Sequence, residues 1–344
     1  METPRRATIA DIAARAGVSP GAVSFALNNR PGVSAATRAR ILEIAREMHW
    51  RPHSAARALG GARAGTVGFV LTRPARTLGT ESFFGDLISG IQLGLTGSHV
   101  GMNLLVARDL EEELDTYQEW WNGHQVDGVV LIDPRTNDPR VDLLAKLGMP
   151  TVVIGSKPSP DGEAPTIWID DRDAALTVYR YLHALGHRRI AHVAGRADFE
   201  HTGMRISALE TFARTVGLDH AQSLTTDYSA AEGEHATRRL LSEPEPPTAI
   251  VYDNDVLAVA GLGVASEMGV PVPDRLSIIS FDDSAMARLV RPSLTTLTRD
   301  TVELGERAAR LLLDQIDAGK TLPSRRGPAL TLSARDSTAP PPGG

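Results

Sequence analysis

From Thr66 onward the chain repeats one pattern, a short apolar run followed by an amphipathic stretch of helical period. The runs fall at 66–71, 101–106, 126–132, 151–154, 190–194, 248–252 and 276–281. Helical stretches lie near 84–97, 111–122, 140–147, 172–185, 204–216, 231–241, 256–268 and 301–317. A strand buried on both faces reads as a continuous apolar run, and such strands alternating with helices form parallel sheets covered on both sides. About 270 residues of this pattern are too many for one compact sheet. The pattern therefore predicts an α/β core, about 64–336, of two doubly wound lobes with the split near 166–172. One lobe covers about 64–169 and 299–330, the other about 170–298.

The first 63 residues are different in kind. They carry ten Arg, no Lys and four acids, a net +6, which leaves -12 for the remaining 281 residues. A small basic module on an acidic body points to an anionic partner for the module alone. Its local pattern is all-α. Thr8-Ile9-Ala10-Asp11 resembles a capping box, and Ile9, Ile12, Ala13 and Ala16 recur at helical spacing. Gly17 ends this helix, Ser19 with Pro20 opens a second running to about Asn28, and Ser34 caps a third with Ile41, Ile44, Ala45 and Met48 inward. Two short helices joined at Ala16-Gly17-Val18-Ser19, then a third, is helix-turn-helix geometry. A three-helix bundle without a nucleic-acid role fits the same pattern.

Residues 52–63 hold a short Ala-rich stretch closed by Gly60-Gly61, too short to be a stable helix alone. The end, residues 337–344, is rich in Pro and Gly and is expected to be a disordered tail. With no cysteine, thiolate metal sites, disulfides and cysteine nucleophiles are excluded. The apolar runs are far shorter than the ~18 residues that cross a bilayer. Residues 1–30 contain no apolar signal core, so the expectation is a cytoplasmic protein without a membrane partner.

Thr8 through Ser19, then Ala22-Val23-Ser24 and Leu27-Asn28, closely resemble the DNA-binding headpiece of the lactose-repressor (LacI/GalR) family. Later motifs agree in order: Gly186-His187-Arg188-Arg189-Ile190-Ala191, Asp253-Asn254-Asp255, Ser280-Phe281-Asp282-Asp283 and Pro292-Ser293-Leu294-Thr295-Thr296. The resemblance spans residues ~6 to ~335. It implies a headpiece (1–51), a hinge helix (52–63) and a two-lobed core like a periplasmic sugar-binding protein. It further implies double-stranded operator DNA and a small sugar-like effector as partners, and no cofactor. A homodimer is expected because one headpiece offers too little surface for high affinity.

Carried over residue by residue, the operator side comprises Thr8, Ser19, Pro20, Gly21, Ala22, Ser24, Phe25 and Asn28, with Ala56 and Leu59 in the hinge. Pro20, Gly21 and Phe25 stand where base edges are read, and none can make the bidentate contacts of Arg, Asn or Gln. Specificity is then expected to lean on the hinge and on DNA shape. On the effector side, Arg205, Asn254 and Asp282 match positions that hydrogen-bond sugar hydroxyls, while Phe83, Phe84 and Tyr228 match positions that pack against a ring. Plainer readings exist for each: Asp282 or Asn254 as a helix cap, Arg205 paired with a surface acid, Phe25 packed within the headpiece. Two departures stand out. Gly155 replaces an acid found in some members, and Arg299 stands where Gln is common, a hint of an anionic ligand group.

Two decoys are set aside. Gly261-Leu262-Gly263 lies within a helix and lacks a third glycine, and His183 and His187 are separated by a helix end at Gly186. The reading is a ligand-responsive, sequence-specific transcription regulator, a repressor of carbohydrate-utilisation genes, and not an enzyme. A nucleotide-dependent sugar-modifying enzyme with a Rossmann-like lobe is the rival. It lacks a phosphate loop and leaves residues 1–63 unexplained. A transport-type sugar-binding protein would need a signal peptide.

Overall fold

The computed structural model describes residues 7–27, 30–48, 50, 63–73, 79–155, 158 and 164–342. Asn28 and the expected hinge, with Ala56 and Leu59, lie outside the described residues. The chain divides into two compact units, Met1–Ala64 and Gly65–Gly344.

In the first unit, α1 (Ile9–Ala16), α2 (Pro20–Leu27) and α3 (Ala35–Glu47) surround a core of Ile12, Ala13, Ala16, Val23, Ala26, Ile41 and Ala45. Thr8 and Asp11 close a reciprocal capping box, with Asp11 Oδ2 accepting from Thr8 N at 2.7 Å. Gly17, at φ +63, turns the chain out of α1, and Ser19 Oγ accepts from Ala22 N at 3.2 Å to start α2. Part of the arginine surplus is spent inside the unit. Arg40 donates to Ala16 O at 2.5 Å and Arg38 to Ala26 O at 3.3 Å, placing cations on the C-terminal carbonyls of α1 and α2.

The second unit contains two six-stranded sheets. The first has order β11-β5-β4-β3-β1-β2, with β1 (Thr66–Leu71), β2 (Gly101–Val106), β3 (Val129–Leu131), β4 (Thr151–Gly155), β5 (Thr166–Trp168) and β11 (Arg325–Arg326). Its helices are α4 (Ser82–Leu95), α5 (Leu110–Asn122), α6 (Pro139–Leu147) and α12 (Thr301–Ala318). The second has order β12-β10-β9-β8-β6-β7, with β6 (Arg189–Ala194), β7 (His220–Thr225), β8 (Ala249–Tyr252), β9 (Ser277–Ser280), β10 (Thr295–Thr298) and β12 (Thr331–Ser333). Around it lie α7 (Asp171–Ala184), α8 (Glu200–Val216), α9 (Ala230–Leu241), α10 (Asp255–Glu267) and the one-turn α11 (Ala285–Leu289). All pairings are parallel except β10 with β12. No helix among the described residues is long and apolar enough to cross a membrane.

The apolar-run pattern does not reveal β5, β7, β10, β11, β12 or α11. β7 is an edge strand, only partly buried along its length, so it needs no apolar run. β10 is largely Thr, and β11 and β12 are too short to show a period. The expected disordered tail is a correction. Ser337 is fully buried, its Oγ donating to Ile278 O at 2.6 Å and accepting from Thr295 N at 2.8 Å. Ala339 N donates to Ser277 Oγ, and His187 Nε2 lies 3.0 Å from Ala339 O. Backbone and serine hydroxyl hydrogen bonds hold residues 337–339 to the starts of the inner strands β9 and β10, which a reading of composition does not see.

The closest helix contact in the first lobe is α4 against α12. A Cβ on Gly90 would lie 2.0 Å from Val302 O, and one on Gly305 would lie 2.4 Å from Leu87 O. The two backbones touch directly, and α4 begins at the cleft between the lobes. Gly90→Ala is expected to force the helices apart and to lower stability by about 2–3 kcal/mol in chemical denaturation. A loss no greater than that of an exposed helical substitution would show that the contact yields freely.

Candidate functional site

The parallel strands of both sheets end at one cleft within the second unit, and the residues just past those ends line it. Arg73 follows β1, Asp133 follows β3, Asp253 and Asn254 follow β8, and Asp282 follows β9. This is where doubly wound sheets present ligand groups. The cleft is partly open to solvent, and its cavity volume is about 70 Å³. Phe83, Phe84, Arg205, Tyr228, Asn254, Asp282 and Arg299, all expected from the sequence, line it together.

Arg205 sits in the second turn of α8. Its Nε and Nη2 donate to Asp171 Oδ1 at 3.1 and 2.7 Å, its Nη1 to Asp253 Oδ1 at 2.9 Å, and its plane lies 4.2 Å over Phe281. The acids are buried, not on the surface. Asp253 also meets His192 Nε2 at 2.9 Å and accepts from Gly195 N at 2.7 Å. Burial alone would raise the Asp253 carboxyl, but Arg205 and His192 outweigh it and hold it far below the ordinary carboxylate range.

Asn254 takes its plainer role as a helix cap and also lines the cleft. Its Oδ1 caps α10 by accepting from Leu257 N at 2.9 Å, while its Nδ2 points to Glu81 Oε1 of the other lobe at 3.4 Å. Asp282 Oδ1 accepts from Arg299 Nη2 at 2.9 Å, and Arg299 stacks 4.7 Å over Phe83. The charge on which the hint of an anionic ligand rested is thus paired within the chain. The acid missing at Gly155 has a steric reason. The residue is at φ +146, and a Cβ there would lie 2.8 Å from the Pro134 ring. Tyr228, itself at φ +70, has its hydroxyl 2.9 Å from His201 Nε2. Burial, then the Arg205 charge, lowers His201, so its ring is neutral near pH 7.

Sequence reasoning missed Arg73, Glu81, Asp133, Asp171, His201 and Asp253 as cleft residues. The available signal was the first polar residue after each apolar run, which marks Asp133 and Asp253, whereas Arg73 stands one position further on, behind Thr72. Glu81 precedes α4 and is buried. Burial, the neighbouring Asp133 and Asp282, and the more distant Asp255 push it up to about 8 against the pull of Arg73.

In the first unit, Ser19, Pro20, Gly21 and Phe25 are exposed along α2, and Thr8, Ala22 and Ser24 are partly buried. Phe25 lies outside the core, with its ring edge beside Gly32.

Residues 8–53 match the model of bacterial regulatory proteins of the lacI family, and residues 179–338 that of periplasmic binding protein-like domains. The chain is 30% identical to the HTH-type transcriptional regulator CelR of Thermobifida fusca, over 98% of this chain and 100% of that protein. It is 31% identical to the HTH-type transcriptional repressor CytR of Escherichia coli K12, over 90% of each. The crystallised CelR–cellobiose complex superposes with a TM-score of 0.73 at 27% identity, covering 96% of this chain and 100% of that one. The chain belongs to the LacI family of bacterial regulatory proteins. It is a DNA-binding transcription regulator with a helix-turn-helix headpiece and a two-lobed α/β core. In this LacI-family regulator every cleft guanidinium is paired: Arg73 with Asp133, Arg205 with both Asp171 and Asp253, and Arg299 with Asp282, which leaves one carboxylate in excess, and Glu81 is pushed up to about 8.

A carboxyl raised in the folded state favours the folded protein at low pH and loses that advantage as pH rises through its folded value. Glu81 therefore weakens stability progressively from the ordinary carboxylate range up to about pH 8. Glu81→Gln is expected to flatten this fall and to be more stable than the parent by about 2–3 kcal/mol above pH 8. The check is denaturant unfolding from about pH 5 to about pH 9, a range that covers the titration. Parallel pH profiles for parent and variant would show that Glu81 stays ionised.

Proposed function

We propose that the chain is a homodimeric repressor of carbohydrate-utilisation genes that binds double-stranded operator DNA and releases it when a neutral, polyhydroxylated sugar fills the cleft. The observation that carries this reading is the pairing of every cleft guanidinium. With each guanidinium already set against at least one carboxylate, the site offers paired donors and acceptors and no uncompensated cation, together with the rings of Phe83, Phe84 and Tyr228. Vicinal hydroxyls accept from Arg or Asn and donate to carboxylate, and a sugar ring face packs on aromatic surface. A phosphate or uronate would find no uncompensated cation. The cellobiose bound by the CelR relative supports a sugar as ligand class.

On the operator side, Pro20, Gly21 and Phe25 stand at the base-reading positions and Ser24 and Asn28 at phosphate-contacting ones, with Thr8, Ser19 and Ala22 as further operator contacts and Ala56 and Leu59 as minor-groove wedges. Phe25 can meet a thymine methyl, while sequence preference comes chiefly from DNA shape. Exposed Leu93 on α4 and Leu104 and Val106 on the edge strand β2 are apolar surface that a subunit contact would cover. The site of action is the bacterial cytoplasm, on the nucleoid. An enzymatic reading leaves the headpiece without a task.

The test is thermal denaturation of the full-length protein with glucose, galactose, maltose and cellobiose, set against glucose 6-phosphate and glucuronate. A ligand that binds only the native state raises Tm. At least one neutral sugar is expected to raise it and neither anion to do so. Stabilisation by the anions alone would overturn the reading.

A further inference from the structure

Arg73 leaves the end of β1 and is nearly fully buried in the cleft. Its Nη2 lies 2.8 Å from Asp133 Oδ2. Its guanidinium carbon lies 4.8 Å from the ring centroids of both Phe199 and Tyr228 and 5.5 Å from that of Phe84, so aromatic faces from both lobes confine it. Asp133 is fixed in turn. Its backbone is left-handed at φ +53, and Arg140 Nη2 donates to its carbonyl at 2.7 Å.

Held this firmly, Arg73 still has buried donors to spare. Among the described residues, neither its Nε nor its Nη1 has an acceptor. The carboxylate nearest Nε is Glu81 Oε2 at 3.9 Å, beyond hydrogen-bond reach. Arg205 is the contrast, with all three nitrogens bonded to Asp171 or Asp253. Native proteins complete nearly all buried donors, and a charged one left bare is costly, so unmet donors in a cleft mark where a ligand supplies acceptors. The cleft's other unmet donor is Arg299 Nε, of the same kind. The charge of Arg73 is already matched by Asp133, so what it lacks is neutral acceptor oxygen.

We propose that Arg73 is a specificity-determining contact of the cleft, donating from Nε and Nη1 to hydroxyl, ring or glycosidic oxygens of the bound sugar. Asp133 and the rings of Phe84, Phe199 and Tyr228 are its positioning frame. This assignment rests on the reading of the cleft as a neutral-sugar site and names the first lobe's part in it.

Arg73→Lys keeps a cation beside Asp133 and removes both unmet guanidinium donors. Full-length parent and variant are titrated calorimetrically with glucose, galactose, maltose and cellobiose, and the ligand-free Tm of each is recorded. For the sugar that binds the parent, the variant is expected to bind about tenfold more weakly or worse, with a similar ligand-free Tm. A merely structural Arg73 would do the reverse, lowering the ligand-free Tm and leaving sugar affinity alone, and that result overturns the assignment. Asp133→Asn, which keeps Arg73 but loosens its frame, serves if Arg73→Lys does not fold. It is expected to weaken the same sugar, and undiminished affinity there is likewise contrary. Equal affinity in parent and variant removes Arg73 from the contact while the sugar reading stands. No binding of any of the four sugars to the parent overturns that reading and this assignment with it.

Discussion

The buried pairing of Arg205 with Asp171 and Asp253 is the constraint on which the rest of the site depends. Removing a guanidinium from water is unfavourable unless carboxylates surround it, and removing either partner would leave a buried charge uncompensated. The pairing ties the second turn of α8 to the start of α7 and the end of β8. Asp253 extends it to His192 and to the Gly195 amide. Gly195 in turn makes room for Tyr228, because a Cβ there would fall 1.8 Å from the ring. One ion cluster thus sets the floor of the cleft and the ring that closes its side.

The same neutralisation decides the chemistry of the ligand. Arg299 against Asp282 and Arg73 against Asp133 repeat the arrangement at the cleft wall. Asn254 spans the cleft toward Glu81, joining the second lobe to the first. In the proposed sugar complex these paired charges would give charge-assisted hydrogen bonds to uncharged hydroxyls, so selectivity would come from their geometry rather than from net charge.

Much of this was legible in residues 66–317, because strands buried on both faces announce themselves as apolar runs. The headpiece was legible too, since Thr8, Gly17, Ser19 and Ser34 are caps and stops whose chemistry is local. The edge strand β7 was not, as solvent on one side frees it from the pattern. The ordered end was not, because Ser337 and Ala339 are held by hydrogen bonds to residues some 60 positions away. In the cleft, the expected residues stood in recognisable motifs. Arg73 and Glu81 stand in no motif and Asp171 is one of three aspartates in 170–173, and only the fold brings them together.

The central claim is that this regulator's cleft holds an uncharged ligand within a frame of paired charges. The most direct measurement is calorimetric titration of the sugar that stabilises the protein, repeated across rising NaCl concentrations. Screening weakens attraction between a charged ligand and an unneutralised cation but leaves neutral hydrogen bonding almost untouched. The account predicts a sugar Kd that stays constant with salt. A Kd that rises steeply with salt would mean that the ligand is anionic and meets an unmatched guanidinium, and would contradict it.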